Sequence, residues 1–219
     1  MLNSFQPRLD ILPSAQRCLW GELVEVPESF TLYGGTAIAL YLGHRISVDF
    51  DFFGNTDFDP DDLYNTIPFL KAAEVLQKSS NTLTCLVERG EPVQVSFFGV
   101  PEIKAISPPL ITDDIHLKVA SLVDLAGMKA AVIQKRAEAK DYIDLDALIQ
   151  QSKISLSTAL AAGQYIYGKS FNPQITLKAL SYFEDGNLQQ LDSALKNRLI
   201  QAIKTVELSC LPNLIGDAS

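Results

Sequence analysis

Residues 32–53 read LYGGTAIALYLGHRISVDFDFF, and this stretch decides the fold. Apolar residues lead into Gly34 and Gly35, which permit the tight turn and positive φ of a strand-to-helix corner. Good helix formers follow Thr36 as far as Gly43, which predicts a short buried helix that ends at a glycine. Free backbone N–H groups and the helix dipole at such a turn favour an anion such as phosphate.

Acidic and apolar residues alternate soon after this helix, at residues 48–53. As a strand, the pattern separates an apolar face from an acidic face. The apolar face carries Val48, Phe50 and Phe52, and the acidic face carries Asp49 and Asp51. Residues two apart along a strand lie roughly 6.5 Å apart, so both carboxylates reach one hard cation or a pair of cations. This geometry suits Mg²⁺, and a phosphate cradle beside it suits metal-assisted nucleotidyl transfer.

Several blocks of sequence together resemble a known family. Gly-Gly-Thr followed by Asp-Phe-Asp resembles the signature of the DNA polymerase beta-like nucleotidyltransferase superfamily. Residues 44–51 read HRISVDFD, residues 124–129 read DLAGMK and residues 140–145 read KDYIDL. With the Gly-Gly-Thr turn, these blocks resemble the AbiEii/AbiGii toxin family of nucleotidyltransferases, and they span about half of the chain.

The resemblance implies an α+β fold in which a mixed β-sheet flanked by helices forms the nucleotidyltransferase core. After Pro108 and Pro109 the strand patterns give way to helical periodicity. We therefore expect the core to occupy residues 1–111 and a mainly helical region to occupy residues 112–219. The resemblance implies that the helical region completes the active-site cleft.

The resemblance also implies catalytic residues. Asp49 and Asp51 are expected to bind the metal. Lys129 lies one position from the apolar stripe of a predicted helix, and spacing alone favours solvent exposure, whereas the resemblance implies that its ammonium clamps triphosphate oxygens. Asp141 is implied to accept the proton of an attacking hydroxyl or to bind the metal. Asp144 is less favoured, and helix capping is the alternative for both.

The predicted nucleotide-binding residues lie in the Gly-Gly turn and just before the aspartates; they are Gly34, Gly35, Thr36, Arg45 and Ser47. Arg45 is placed where a cation contacts nucleotide phosphates. Ser47 has a second interpretation, which is that it orients Asp49. For His44, a site role and a partly buried, hydrogen-bonded imidazole stay equally open.

One feature departs from the superfamily pattern. A third carboxylate usually stands on a neighbouring strand and points toward the aspartate pair. The strand predicted at residues 93–98 offers only Gln94 and Ser96 there, so metal binding is expected to rest on Asp49 and Asp51 alone unless another acid, such as Asp141, reaches the site. The alternative function is therefore a catalytically weak module of the same fold that binds an NTP or a partner protein.

Composition narrows the class of protein. The 219 residues are 47% hydrophobic, which is enough for a real core. The formal net charge of -8 argues against nonspecific DNA or RNA binding, since that activity requires a basic surface. Three widely spaced cysteines indicate neither a disulfide framework nor a zinc site. The pattern shows no signal peptide and no apolar run of membrane-spanning length, so we expect a cytoplasmic protein that does not bind membranes.

Local patterns predict the remaining elements. Helices are expected over residues 14–26, from residue 60, over 121–136, from 140, and near 156–167, 173–183 and 188–208; strands are expected at 75–78, 82–88, 93–98 and 115–119. Trp20 is assigned to the core and the acids at residues 57–62 to helix capping and solvation.

The expected function combines these inferences. The chain is predicted to be an enzyme that uses Mg²⁺ or Mn²⁺ and transfers a nucleoside monophosphate from an NTP to an acceptor hydroxyl. The resemblance implies the toxin of a toxin–antitoxin or phage-defence system, with a cognate antitoxin as partner. A tRNA end and a protein hydroxyl both stay open as the acceptor.

Overall fold

A computed structural model describes residues 3–214 of the chain. The described residues form two compact units. Residues 3–103 and 108–120 form the first unit, and residues 104–107 and 121–214 form the second. The first unit thus extends past residue 111 and includes two short strands there, while the predicted division into separate domains at that residue stays a prediction.

The first unit contains a mixed β-sheet. Its strands are β1 (Ser4–Phe5), β2 (Phe30–Tyr33), β3 (Phe50–Gly54), β4 (Glu74–Ser79), β5 (Thr82–Glu88), β6 (Pro92–Gly99), β7 (Leu110–Thr112) and β8 (Lys118–Val119). Within residues 3–214 the sheet has eight strands in the order β1-β7-β8-β2-β3-β6-β5-β4. β3 is antiparallel to β2 and parallel to β6, so it lies in the interior of the sheet.

Helices occur in both units. The first unit has α1 (Ser14–Trp20), α2 (Gly34–Leu42) and α3 (Pro60–Thr66); the second has α4 (Leu122–Val132), α5 (Ala139–Gln151), α6 (Leu156–Tyr167), α7 (Pro173–Leu180) and α8 (Ser193–Lys204). The α+β class is therefore confirmed. None of the helices in the described part of the chain has the length and apolar character needed to cross a bilayer.

Aromatic residues form the centre of the first unit. Phe50 and Phe52 on β3 are fully buried, and Phe52 stacks on Phe97 of β6 with ring centroids 5.2 Å apart. Trp20 lies 6.4 Å from Phe50, and its indole N–H donates to Asp114 at 2.7 Å. The assignment of Trp20 to the core is confirmed, and this packing fixes the position of β3.

The start of β3 differs from the prediction. The ladder with β6 begins at Phe50, which pairs with Val95. Val48 lies outside the strand and is 48% exposed, so its predicted place on the buried face with Phe50 and Phe52 is wrong. The backbone carbonyl of Val48 accepts a hydrogen bond from the side chain of Gln16 on α1, a long-range contact that local alternation does not reveal.

Most other predicted elements are present with shifted ends. β5 has the predicted bounds, and α3 begins at Pro60 with Asp59 as its cap, which accepts from the N–H groups of Asp61 and Asp62. The helix predicted over residues 14–26 ends at Trp20 and continues as a 3-10 turn, since Gly21 follows. The short strand β7 was not predicted.

The second unit depends on a close helix contact. A Cβ atom at Gly127 on α4 would lie 2.7 Å from the Cβ atom of Ala162 on α6, so a larger residue at position 127 would force the two helices apart. Arg198 on α8 makes a bidentate ion pair with Asp146 on α5. These contacts hold α5 and α4 in the positions that bring their charged residues together.

Candidate active site

The Gly-Gly turn packs directly against Asp51. Gly34 has φ of +76°, a conformation that favours glycine. A Cβ atom at this position would lie 2.7 Å from Oδ2 of Asp51, so a side chain there would collide with the carboxylate. α2 begins at Gly34 and ends before Gly43, which has φ of +63° as the predicted glycine stop requires. The N-terminal N–H groups of α2 therefore lie beside a carboxylate.

The sheet register shows which residues share a face with Asp51. Asp51 pairs with Tyr33 on β2 and with Ser96 on β6, and paired residues on adjacent strands point to the same side of the sheet. Ser96 is buried, and Gln94 is half-buried on the same strand. The position beside Asp51 where a third carboxylate was expected therefore carries a hydroxyl.

The carboxylates present fit a divalent cation that also binds substrate. Among residues 3–214, no group of three or more His, Cys, Asp or Glu side chains is arranged to hold a metal ion. Mg²⁺ in phosphoryl-transfer sites is commonly bound through one or two carboxylates, with water and substrate phosphates as the other ligands. Asp51 lies next to the N-terminus of α2, and Asp49 two residues earlier supplies a second carboxylate, so the residue types present are those such a cation requires.

Asp49 lies just before β3, in a segment held by side chains. The hydroxyl of Thr36 on α2 donates to the backbone carbonyl of Asp49, and the hydroxyl oxygens of Thr36 and Ser47 lie 2.8 Å apart. The side-chain amide of Gln16 on α1 donates to the carbonyl of Val48 at 2.9 Å. Thr36 and Ser47 are buried, so these two predicted nucleotide-binding hydroxyls face the protein interior.

The sequence analysis did not identify Gln16 as a residue of the site, although the helical pattern around it contains a signal. Gln16 lies three residues before Leu19 and four before Trp20, both of which are buried. It therefore occupies the inward face of a predicted amphipathic helix. A polar residue at such a position must find a hydrogen-bond partner, but the pattern does not say which one.

Arg45 lies between α2 and the aspartates, as predicted. Its side chain is half-buried, and its guanidinium donates to the carbonyl of Ile46 at 2.9 Å. The neighbouring Ile46 is 67% exposed. The hydrogen bond of Arg45 to Ile46 is thus a contact with the neighbouring backbone, and the predicted role of Arg45 at nucleotide phosphates stays a prediction.

Lys129 and Asp141 lie in the second unit and contact each other. The ammonium of Lys129 on α4 is 2.7 Å from Asp141 and 2.7 Å from Asp144, both on α5. Arg136 donates to Asp141 as well, at 2.8 Å and 3.2 Å. The Lys129 side chain is 8% exposed and both aspartate side chains are fully buried, so the solvent-exposed alternative for Lys129 is wrong. Asp144 contacts Lys129 as closely as Asp141 does.

The protonation of Asp141 follows from these contacts. Burial alone would raise the pKa of its carboxyl. The hydrogen bond from Arg136 and the charge and hydrogen bond of Lys129 outweigh burial, and the pKa lies below its usual value. Asp141 is therefore an anion stabilised by two cations, and a carboxylate in that state is a weak proton acceptor.

Asp124, the first residue of the DLAGMK block, has a structural role. It is buried, and its carboxylate accepts from the backbone N–H groups of Ile106 and Ser107 and from the hydroxyl of Ser121, the N-cap of α4. These contacts anchor residues 104–107 to the start of α4. The block thus fixes the helix on which Lys129 lies.

Comparison with known proteins places these features in context. Residues 17–209 match the family model of the nucleotidyl transferase AbiEii toxin of type IV toxin–antitoxin systems. An uncharacterized protein of Aquifex aeolicus (strain VF5) is 32% identical over 158 residues, which are 71% of this chain and 74% of the relative. MenT4, a nucleotidyltransferase toxin of Mycobacterium tuberculosis H37Rv, has a similar fold with a TM-score of 0.56, at 14% identity over 87% of this chain and 83% of its own.

Proposed function

Since this chain belongs to the AbiEii nucleotidyl transferase toxin family, and is therefore a nucleotidyltransferase, we propose that it transfers a nucleoside monophosphate from an NTP to an acceptor hydroxyl with Mg²⁺ or Mn²⁺. The observation that supports this proposal best is the packing of Gly34 against Asp51. It brings phosphate-binding N–H groups and a metal-binding carboxylate together. A triphosphate at the turn then has its charge beside the cation that Asp49 and Asp51 hold.

In the proposed reaction, the acceptor hydroxyl loses its proton to solvent or to a carboxylate, and its oxygen forms a bond to the α-phosphorus of the NTP. The bond between that phosphorus and the oxygen that bridges to the β-phosphate breaks, and pyrophosphate leaves. Asp49 and Asp51 would hold the divalent cation, which would supply positive charge to offset that of the triphosphate and the leaving group. Gly34 and Gly35 direct backbone N–H groups to phosphate oxygens, and Arg45 adds a positive charge.

Lys129 and Asp141 are assigned linked roles. We propose that the ammonium of Lys129 stabilises negative charge of the triphosphate. Its ammonium lies 2.7 Å from Asp141 and 2.7 Å from Asp144. Asp141 then holds Lys129 in place. Proton acceptance by Asp141 is the second candidate role, and its two cationic partners weigh against it.

The biological role is proposed from the family. We infer that the chain is the toxin of a toxin–antitoxin or phage-defence system, with an antitoxin as its partner, since its family consists of type IV toxins. The acceptor is either a tRNA end or a protein hydroxyl. The net charge of -8 does not decide between these two acceptors, because a local basic surface suffices for RNA.

A labelling experiment tests the proposal. Wild type and Asp49→Asn are incubated with each α-phosphate-labelled NTP, Mg²⁺ or Mn²⁺, and total tRNA or cell lysate, and RNA is then separated from protein. Label in RNA identifies an RNA acceptor and label in protein a protein acceptor, and in either case Asp49→Asn should lose it. Label that persists in Asp49→Asn would contradict the assigned metal site.

A second function is favoured by Ser96 at the position beside Asp51. If the missing third carboxylate prevents chemistry, the protein binds an NTP or a partner without transferring anything. Equilibrium dialysis with a labelled NTP and Mg²⁺ separates the two functions. Binding without label in any acceptor fraction would support the binding module.

A further inference from the structure

We propose that Gln16 and Thr36 are positioning residues, which hold the backbone of Val48 and Asp49 and thereby set where the Asp49 carboxylate stands relative to Asp51. In this role the Thr36 hydroxyl acts on the protein backbone and not on a phosphate. The inference rests on the proposed function, in which Asp49 and Asp51 bind the cation. It adds Gln16 to the site and assigns Thr36 a role other than nucleotide contact.

The first argument is the absence of a strand at Asp49. β3 begins at Phe50, where pairing with β6 also begins. A residue inside the ladder has its position fixed by backbone hydrogen bonds on both sides. Asp49 and Val48 precede the ladder in the described structure, and their carbonyls accept from Thr36 and Gln16 instead.

The second argument is that apolar packing does not hold this segment. Ile46 is 67% exposed and Val48 is 48% exposed, so the apolar side chains on either side of Ser47 contribute little burial. The inward side chain of the segment is Ser47, whose oxygen lies 2.8 Å from that of Thr36. Hydrogen bonds from α1 and α2 therefore contribute to the position of Val48 and Asp49 before β3.

The third argument concerns the single proton of the Thr36 hydroxyl. The hydroxyl has one proton, and both of its contacts in the structure, with the Ser47 hydroxyl and with the Asp49 carbonyl, have Thr36 as the donor. No proton of Thr36 then remains for a phosphate oxygen. Thr36 is also 2% exposed, which agrees with an interior role.

The buried side chain of Gln16 has a cost in stability, and its contact with Val48 explains why a glutamine is nevertheless present. Its side chain is buried, and its amide oxygen Oε1 has no hydrogen-bond partner among residues 3–214. A buried polar group that is only half satisfied destabilises the fold relative to an apolar residue of similar size. The presence of glutamine at this position of α1, despite its cost in stability, is consistent with selection for the hydrogen bond to the Val48 carbonyl.

Thr36→Val and Gln16→Leu test the proposal, because each removes a donor at nearly constant volume. The affinity of Mn²⁺ is measured by electron paramagnetic resonance in the presence of a nonhydrolysable NTP analogue, and the affinity of the same analogue without metal is measured separately. Transfer rates give kcat. A positioning role predicts that Mn²⁺ affinity and kcat each fall about tenfold, the effect of one lost hydrogen bond, while the metal-free analogue binds within about twofold of wild type.

Two further variants act as controls. Thr36→Ser keeps the hydroxyl and should restore Mn²⁺ affinity and kcat. Thr112→Val removes another fully buried threonine hydroxyl in the same unit. Thr112 lies on β7, which β8 separates from β2, and its hydroxyl accepts a hydrogen bond from the N–H of Leu117. It should leave Mn²⁺ affinity unchanged, although it also lowers stability.

The outcomes separate the possible roles. Weaker binding of the metal-free analogue by Thr36→Val, with Mn²⁺ affinity unchanged, would mean a phosphate contact and would overturn the proposal. An equal loss of Mn²⁺ affinity in Thr112→Val would show that the loss in Thr36→Val comes from general destabilisation. That result would also overturn the proposal. If wild type binds Mn²⁺ and the two variants lose it but no acceptor is ever labelled, the proposed transfer fails while the positioning role stands.

Discussion

Asp49 and Asp51 lie where a loop becomes a strand, whereas Asp141 and Asp144 lie inside a helix among cations. In the first region, neutral donors on α1 and α2 hold the backbone that carries Asp49. In the second, Lys129 directly contacts both carboxylates. The first arrangement sets the position of a carboxylate without neutralising it, and the second neutralises carboxylates that are buried.

The difference determines what each region contributes. A buried charge that loses its partner is strongly destabilising, so the cluster of Lys129, Arg136, Asp141 and Asp144 is expected to support the fold of the second unit as well as any chemistry. Asp49 is half-buried at the end of a loop, and its removal should cost little stability. Loss of function without loss of fold is therefore expected at Asp49, and loss of both at Lys129.

The largest expected effect is that of Asp49→Asn. The amide is close in shape to the carboxylate but lacks the charge that, in the proposed function, would hold a divalent cation. Transfer should fall by about 10⁴-fold, the scale seen when a group that acts directly in a reaction is removed. The measurement is label transfer from an NTP, with thermal unfolding recorded for the same samples.

The control for this prediction is Asp62→Asn. Asp62 is an exposed acid in the first turn of α3, so the variant changes net charge equally. Its transfer rate should match that of wild type. A comparable loss in Asp62→Asn, or a large drop in melting temperature for Asp49→Asn, would break the contrast between the two regions.

Lys129→Met should have the next largest effect, and its main effect should be a lower free energy of unfolding. The variant leaves Asp141 and Asp144 buried without the ammonium that contacts both. A loss of about 3–5 kcal/mol in the free energy of unfolding is expected, measured by urea denaturation. Lys135→Met, at an exposed position three residues after Val132, should cost less than about 0.5 kcal/mol.

An equal, small change in both lysine variants would contradict the assignment of Lys129 to a buried ionic cluster. Lys129 would then resemble Asp49, with a role in chemistry and none in the fold. A substantial loss of stability together with loss of transfer is the outcome that agrees with the structure.

Gly34→Ala should have an intermediate effect on transfer, and it tests whether the contact between Gly34 and Asp51 matters in the first region. Gly34 has φ of +76°, and a Cβ atom would lie 2.7 Å from the carboxylate of Asp51. The left-handed conformation costs a non-glycine residue roughly 1–2 kcal/mol, and the collision displaces Asp51 as well. Transfer should therefore fall by more than the loss of stability explains.

Gly90→Ala is the matched variant for this prediction. Gly90 has φ of +89° in the turn between β5 and β6, and a Cβ atom there would meet nothing within 4 Å. It should cost similar stability and leave transfer unchanged. If the two variants have the same transfer rate, contact between the turn and Asp51 has no role in the reaction.

Local pattern predicted the parts of the molecule that local interactions determine. The positive φ of Gly34, the glycine end of α2 and the bounds of β5 all depend on residues close together in the chain, whereas α2 begins at Gly34 and not after the predicted Gly-Gly-Thr turn. The family resemblance brought Lys129 and Asp141 into the candidate site, although the periodicity of the helix favoured an exposed lysine. The fold and the main charged residues were therefore accessible from sequence.

Contacts between distant residues were not accessible in this way. The hydrogen bond from Gln16 to Val48 joins positions 32 residues apart, and local alternation does not reveal it. The preference for Asp141 over Asp144 likewise could not anticipate that α4 presents the Lys129 ammonium to both. Periodicity reports which face is buried, but it does not report which buried polar groups meet.

The smallest expected effect is the contribution of Asp141 to the loss of folding stability at acidic pH. Burial opposes ionisation of Asp141, but Arg136 and Lys129 leave its pKa below the usual value. A carboxyl whose pKa is lower in the folded state stabilises the fold above its unfolded pKa of about 3.9, and this stabilisation is lost as pH falls toward the folded pKa. One such group accounts for at most about 1 kcal/mol between pH 5 and pH 3.

Asp141→Asn isolates this contribution. Urea denaturation of wild type and variant at pH 5, 4 and 3 gives the slope of stability against pH, and the slope should be shallower for Asp141→Asn because one proton-linked group is gone. Other carboxyls with lowered pKa values, such as Asp10 and Glu22, contribute equally to both proteins and cancel. Identical slopes would mean that Asp141 has an ordinary pKa and can accept a proton near neutral pH as readily as a solvent-exposed carboxylate. Proton acceptance from the attacking hydroxyl would then become its stronger role, and the distinction between the neutralised cluster and the metal-binding pair would no longer hold.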